Sequence, residues 1–321
     1  MIRRMIDGFK KYQFLLRELV KKGITLKYRR SYLGLIWTLI EPLLTMIVLT
    51  IIFGTLFGNK DKTYPVYILT GRLLYSMFSS ATNAAMRSIR SNSAMIKKVY
   101  VPKYLYPLST VLYNYVIFLL SLIVLFVVSV VLGIKPTIYL LQVFVPLLNI
   151  LLLSLGVGMI LGTFSVFFRD LEYLWGVALL LIMYASAIFY YPEKLLNSGY
   201  YFILKYNPLY CVIANFREAI FGQPMTIGYV VYSVGFSILA IVVGFVLFYK
   251  KQDKRYGEHI PDYCRNVCRQ KRHIHKPGGE YTSSKLQNRN HGNNKYNNLS
   301  RDFSPKRIYN KLYCTVYHVL Y

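Results

Sequence analysis

The first 255 residues contain no histidine and one cysteine, and their nine acidic residues are scattered singly apart from the turn at Asp170/Glu172. Each shortage excludes something. A membrane-embedded transferase needs clustered carboxylates or histidines to hold a divalent metal or to exchange protons. The sequence offers no such cluster, so no catalytic residue and no metal site are expected. A lone body thiol, Cys211, has no second body cysteine to pair with, which rules out an extracellular disulfide framework there. The phosphate-cradling pattern G-x-x-x-x-G-K-[ST] occurs nowhere in the 321 residues, so hydrolysis of ATP is not expected from this chain. The N-terminus is polar and basic with no isolated short apolar core, so no cleavable secretory signal is expected.

What the chain does hold is apolar surface and positive charge. It is 55% hydrophobic and 16% charged, with mean hydropathy +0.36 and with 31 Tyr and 19 Phe. A soluble domain of this length has too little interior to hide so much apolar surface. The net charge of +26 would suit a nucleic-acid binder if the basic residues lay on the water-facing surface of a soluble domain. Here they sit in short stretches between apolar runs, where a membrane protein carries them. The expectation is an all-α polytopic membrane protein surrounded by lipid, with no nucleic-acid partner.

Three regions follow. Residues 1–32 form a cytoplasmic helix and its exit, 33–255 a six-helix membrane domain, and 256–321 a polar basic tail. In 6–30, Phe9, Tyr12, Leu16, Leu19 and Val20 share one face, while Lys10, Arg17, Glu18 and Lys21 share the other, with Glu18 and Lys22 paired at i,i+4. Phe14 breaks the pattern. Such a helix lies in the membrane interface or on the surface of a cytosolic segment. Six apolar segments, near 34–57, 64–86, 106–133, 138–167, 173–191 and 226–249, have the length to cross ~30 Å of hydrocarbon. Twenty Lys and Arg fall on one side of this topology and six on the other (Lys60, Lys62, Lys135, Lys194, Lys205 and Arg217), which places both termini in the cytoplasm. Residues 192–225 read as two short helices, either re-entrant around a gate or packed externally on the bundle. The tail holds all five histidines and three of the four cysteines. It lacks any helical or strand period and is expected to be disordered or translated out of frame. The spacing of Cys264, Cys268, His273 and His275 is a weak match to a zinc site.

Five motifs then occur in order. They are Lys27 to Trp37 (KYRRSYLGLIW) followed by Glu41-Pro42-Leu43; Tyr64-Pro65 with Leu69-Thr70-Gly71; Ser91 to Lys103 (SNSAMIKKVYVPK); Phe168-Arg169-Asp170-Leu171; and Asn207-Pro208-Leu209. Over residues 8–255 this series resembles the membrane-spanning permease subunit of type-2 ABC exporters of polysaccharides, which move O-antigens, teichoic acids and capsular or other cell-wall glycans. The resemblance implies ATP-driven export of a polyprenyl-linked glycan across the bacterial inner membrane. It also implies a channel built from two copies of the chain, and a separate ATPase subunit that binds ATP and Mg. No cofactor is expected in this chain itself. A type-2 exporter of drugs or lipids is the near alternative.

Residue roles follow from position. Lys27, Arg29, Arg30, Ser31 and Gly34 sit at cytoplasmic headgroup depth, where paired guanidinium groups suit a pyrophosphate. A plain anchor on anionic lipid would use the same charges. Aromatic faces let sugar rings slide, so Trp37, Tyr184, Phe189, Tyr190 and Tyr191 are candidates for the path, with a lipid-facing belt as the alternative. Arg72 lies ~12 Å into the second helix, a depth that calls for a wet cavity or for snorkelling to the headgroups. By resemblance, Lys97, Lys98, Tyr100, Pro102 and Lys103 form the coupling segment that docks on the ATPase. Arg169 joins them, and Asp170 either contacts the ATPase or caps a helix. Ser154, Gly158 and Gly162 make a small-residue face for close helix packing.

Overall fold

In α1 (Ile2–Tyr28), Leu16 and Leu19 are buried and Tyr12, Leu15 and Val20 half-buried, while the pattern-breaking Phe14 is 77% exposed. The apolar stripe is covered by the start of α5 (Leu105–Val131), chiefly Leu105, Tyr106, Leu108 and Leu112. Contact is close: a Cβ on Gly23 would stand 2.5 Å from the Tyr113 ring. The amphipathic helix is therefore seated on the bundle itself, its charged face outward. The computed structural model describes residues 2–29, 33–58, 61–96, 102–192, 201–248 and 250, and no strand occurs among them. Arg30, Ser31, Lys97, Lys98, Tyr100 and the tail with Cys264, Cys268, His273 and His275 lie outside the described residues.

A short 3-10 turn (Gly34–Ile36) leads into α2 (Trp37–Phe57), followed by α3 (Tyr64–Ser91) and the single turn α4 (Ser93–Ile96). After α5, a 3-10 stretch (Ile138–Val143) opens α6 (Phe144–Phe164), and then come α7 (Leu171–Tyr184), α8 (Tyr201–Lys205), α9 (Pro208–Ile220) and α10 (Ile227–Phe248). Four of these stretches are long and apolar enough to cross a membrane: Trp37–Leu56, Leu105–Val131, Ile138–Phe164 and Ile227–Phe248. α3 is more polar because it is the central post, packed by α2, α5, α6 and α9. Side chains that face other helices rather than lipid need not be apolar all round. The bundle has a basic end, holding Lys27, Arg87, Arg90, Lys103 and Arg169, and a tyrosine end, holding Tyr64, Tyr67, Tyr191, Tyr210 and Tyr229.

Small residues let the helices approach. A Cβ on Gly158 would stand 2.9 Å from Ala85 Cβ of α3, and one on Gly162 would stand 3.2 Å from the Ala85 carbonyl. Gly156 touches the α10 backbone at Ala240 and Ile241. Near it, Asn149 donates to Ser233 (2.7 Å) and accepts from Ser237 (2.8 Å), so buried polar groups of α6 and α10 satisfy each other. The expected small-residue face thus packs on α3 through Gly158 and Gly162, while Gly156, outside that face, gives α10 its close approach.

The segment expected to span at 173–191 is helical only to Tyr184, and 185–192 turn back on α3. Fourteen residues make ~21 Å of helix. Past the helix end, side chains from elsewhere hold the carbonyls of the turned segment: the Tyr64 hydroxyl donates to Phe189 O (2.7 Å), Tyr67 to Tyr190 O (2.9 Å) and Arg217 to Ala187 O (3.0 Å). Ala187 sits at φ 46, a left-handed conformation that costs a residue with a Cβ about 1–3 kcal/mol and persists only under such restraint.

Candidate functional site

At the basic end a polar cleft opens between α1, α2, α3 and α5. Its cavity of about 100 Å³ is lined by Lys27, Glu41, Arg72, Ser76, Ser80 and Asn114, with Thr38, Thr45 and Ser121 completing the hydroxyl lining. Two residues assigned different roles from sequence, Lys27 and Arg72, thus face one polar space. Arg72 is half-buried, 4.0 Å from the Met183 sulfur and 5.8 Å from the Tyr75 ring centre. Burial lowers the pKa of Lys27, with the Glu41 carboxylate opposing the shift. Lys27 is nonetheless an exposed residue with no ion pair to Glu41, so its ammonium is open to an anion. Arg29 is exposed beside the cleft, Gly34 opens the following turn at φ 48, and Trp37 is 43% exposed at the start of α2.

Beside them, the loop regions at the basic end are tied by charge. Arg87 approaches Glu172 at 3.3 Å, and Arg90 pairs with the same carboxylate. The end of α3, which leads into 91–103, is therefore coupled to the Arg169–Asp170 turn that starts α7. Arg169 and Asp170 are both exposed. Asp170 occupies the N-cap position of α7, yet its side chain makes no capping hydrogen bond, so the capping expected of it is absent. Pro102 and Lys103 are half-buried in the turn before α5.

The tyrosine end carries the strongest electrostatic feature, and sequence reasoning missed it. Arg217 of α9 is 6% exposed. Its guanidinium donates to Tyr67 O (3.0 Å), Ala187 O (3.0 Å), Ile188 O (3.3 Å) and Thr70 Oγ1 (3.4 Å), and lies 3.5 Å over the Tyr67 ring. No carboxylate lies within salt-bridge distance of it among the described residues. Gly71 leaves room for the group, since a Cβ there would stand 2.6 Å from Nη2. The available signal was one basic residue inside the apolar run CVIANFREAIFG.

In front of Arg217 lies a cavity of about 530 Å³, lined by Thr63, Tyr67, Tyr191, Tyr210, Arg217, Glu218, Gln223, Thr226 and Tyr229 among others. The aromatic candidates divide here. Tyr191 lines the cavity. Tyr190 donates to Tyr184 O (2.8 Å), and Tyr184 is 54% exposed. Phe189 is 5% exposed and stacks on Phe53 at 4.6 Å, so within a single chain it is a packing residue.

The arrangement has relatives. The profile of the family described as ABC-2 type transporter matches residues 15–221. The chain is 28% identical over 238 residues to the O-antigen export system permease protein RfbA of Klebsiella pneumoniae, an alignment covering 74% of this chain and 91% of that protein. It is 28% identical over 221 residues to a protein of the same name from Myxococcus xanthus (68% and 85%). It is 22% identical over 255 residues to the polysialic acid transport protein KpsM of Escherichia coli (77% and 97%).

Proposed function

Because the chain belongs to the ABC-2 type transporter family, we propose that it is the membrane-spanning permease subunit of an exporter that moves a lipid-linked polysaccharide across the bacterial inner membrane. The observation that carries the reading is the match to proteins named for O-antigen export and polysialic acid transport across nearly their whole length. In this reading α3 and α7 join the four long apolar stretches to make six crossings, with residues 185–192 completing the fifth. Both termini lie in the cytoplasm together with the basic end, as the excess of Lys and Arg there requires. The tyrosine end faces outward. Hydrolysis of ATP with Mg belongs to a separate subunit, and the chain contributes no catalytic group and no cofactor of its own.

A second copy closes the channel. α2 and α7 expose Leu44, Ile51, Leu56, Leu174, Val177 and Leu181, apolar surface that lipid or an identical chain can cover. Lys27, Arg29, Arg30, Ser31 and Gly34 form the portal where the diphosphate of the lipid carrier docks, and the polar cleft between Lys27 and Arg72 supports this placement. Trp37, Tyr184, Tyr190 and Tyr191 line the later path. Lys97, Lys98, Tyr100, Pro102 and Lys103, with Arg169 and Asp170, face the ATPase.

Deleting the gene is expected to strip the glycan from the cell surface and to accumulate lipid-linked glycan inside. Normal surface glycan together with a lost drug or lipid efflux would overturn the reading. Two variants probe its parts. Arg29→Gln with Arg30→Gln should block export while membrane insertion and ATPase association persist; intact surface glycan would refute the diphosphate portal. Lys97→Glu with Lys98→Glu should release the ATPase on co-purification, and an undiminished complex with normal transport would remove the coupling assignment.

A further inference from the structure

We propose, resting on the glycan-export reading, that the cavity in front of Arg217 is a carbohydrate subsite, one per subunit, that holds a short uncharged stretch of the glycan at the outer face. Its volume of about 530 Å³ falls within the range of roughly 300–1,000 Å³ usual for small-molecule sites. One chain supplies all its walls: the first turns of α3, residues 191–192, α9 and the start of α10. The site is therefore complete within one subunit, and Tyr191 places it on the outer stretch of the path.

The lining has the chemistry of a sugar site. Tyr191 and Tyr229 are half-buried rings, each backed by a buried one, Tyr67 at 4.6 Å and Tyr210 edge-on at 6.0 Å. Such faces take the C–H side of a pyranose ring and leave its hydroxyls at the margin. Planar polar groups stand at that margin. Glu218 is held in place by accepting from the Thr226 N–H and hydroxyl, both at 2.8 Å, and a carboxylate so bonded still has acceptor sites to offer. The Gln223 amide, on an exposed residue, offers a donor and an acceptor together.

Other ligands fit worse. A lipid tail would need an unbroken apolar lining, and Glu218, Gln223, Thr63 and Thr226 break it. An anionic headgroup would meet the Glu218 carboxylate, while the one guanidinium present is committed to main-chain oxygens of Tyr67, Ala187 and Ile188. The walls are also set before the ligand arrives, because the Tyr67 hydroxyl is fixed on Ala187 O and Tyr190 O. Affinity is expected in the millimolar range, since a path must release what it binds.

The test uses the permease with its ATPase in lipid nanodiscs and neutral methyl glycosides of glucose, galactose and N-acetylglucosamine as probes. Saturation-transfer NMR should show transfer to the ring protons of at least one glycoside. Transfer should fall roughly five-fold in Tyr229→Ala, the scale of losing one aromatic face, and should fall also in Gln223→Ala. Tyr229→Phe keeps the ring and should retain the signal, which separates a lost platform from a misfolded protein. No transfer to any glycoside in the native complex, or equal transfer in Tyr229→Ala, would overturn the proposal. The cellular arm separates its failure from that of the export reading. If gene deletion leaves the surface glycan intact, the export reading falls and takes the subsite with it. If deletion removes the glycan but Tyr229→Ala exports at the native rate, the subsite alone is wrong.

Discussion

Arg217→Met is expected to abolish export and to lower the thermal unfolding midpoint of the purified protein by more than any other single substitution at the tyrosine end. Methionine fills much of the volume but donates nothing. The carbonyls of Tyr67, Ala187 and Ile188 would lose their bonds of 3.0, 3.0 and 3.3 Å to the guanidinium. Ala187 O would keep the Tyr67 hydroxyl and Tyr67 O the Thr70 hydroxyl, while Ile188 O is left without a partner among the described residues. An orphaned buried group costs about 1–3 kcal/mol, with bonds to charged donors at the upper end. The loss is therefore a large fraction of the stability of an ordinary domain. Arg217→Lys should recover only part of it, because an ammonium cannot fork to carbonyls on two segments. Gly71→Ala should mimic the defect with the arginine still present, since the new Cβ would stand 2.6 Å from Nη2. Circular dichroism on heating in detergent, read beside surface glycan, checks all three. A native midpoint in Arg217→Met would show that Arg217 does not pin α9 to α3 and to residues 187–188.

Gly156→Ala carries the second large effect, on a contact far from that pin. The added Cβ would lie 2.7 Å from Ile241 N and 2.8 Å from Ala240 C. Both are main-chain atoms of α10, so no side-chain rotation relieves the overlap and the two helices must move apart. Overpacking of this kind costs about 1–3 kcal/mol. Separation also stretches the bonds by which Asn149 donates to Ser233 and accepts from Ser237, leaving buried polar groups unmatched. Gly235→Ala on α10 is the control, because a Cβ there meets nothing within 4 Å. Unfolding in graded denaturant should order the proteins as Gly235→Ala near native and Gly156→Ala clearly weaker; equal midpoints would show that α6 and α10 do not rely on this approach.

How much was legible depended on how local the controlling interactions are. The spans around Trp37–Phe57, Leu105–Val131, Phe144–Phe164 and Ile227–Phe248 were readable, because a long apolar run pairs its own backbone groups and declares itself within one window. Ser154, Gly158 and Gly162 were readable as a packing face for the same reason, though not their partner α3, and the approach of Gly156 to α10 was not read at all. Lys27 and Arg72 were each readable as charges at notable depths. Their meeting in one cleft was not, since 45 positions of chain separate them. The Asp170 cap failed because position alone does not orient a carboxylate towards the free N–H groups of a helix.

The amino-acid sequence by itself determined the helical class, the order of the apolar segments and, through its lysines and arginines, an expected orientation in the membrane. It also carried the family motifs. Only the tertiary structure decided where α7 stops and what Arg217 does. The physical reason is the distance along the chain of the bonds responsible. Arg217 reaches carbonyls 30 and 150 residues away, and the Tyr64 hydroxyl reaches one 125 residues away. No periodicity encodes such pairs, so a lone arginine in an apolar run stayed ambiguous until the fold brought two segments to it.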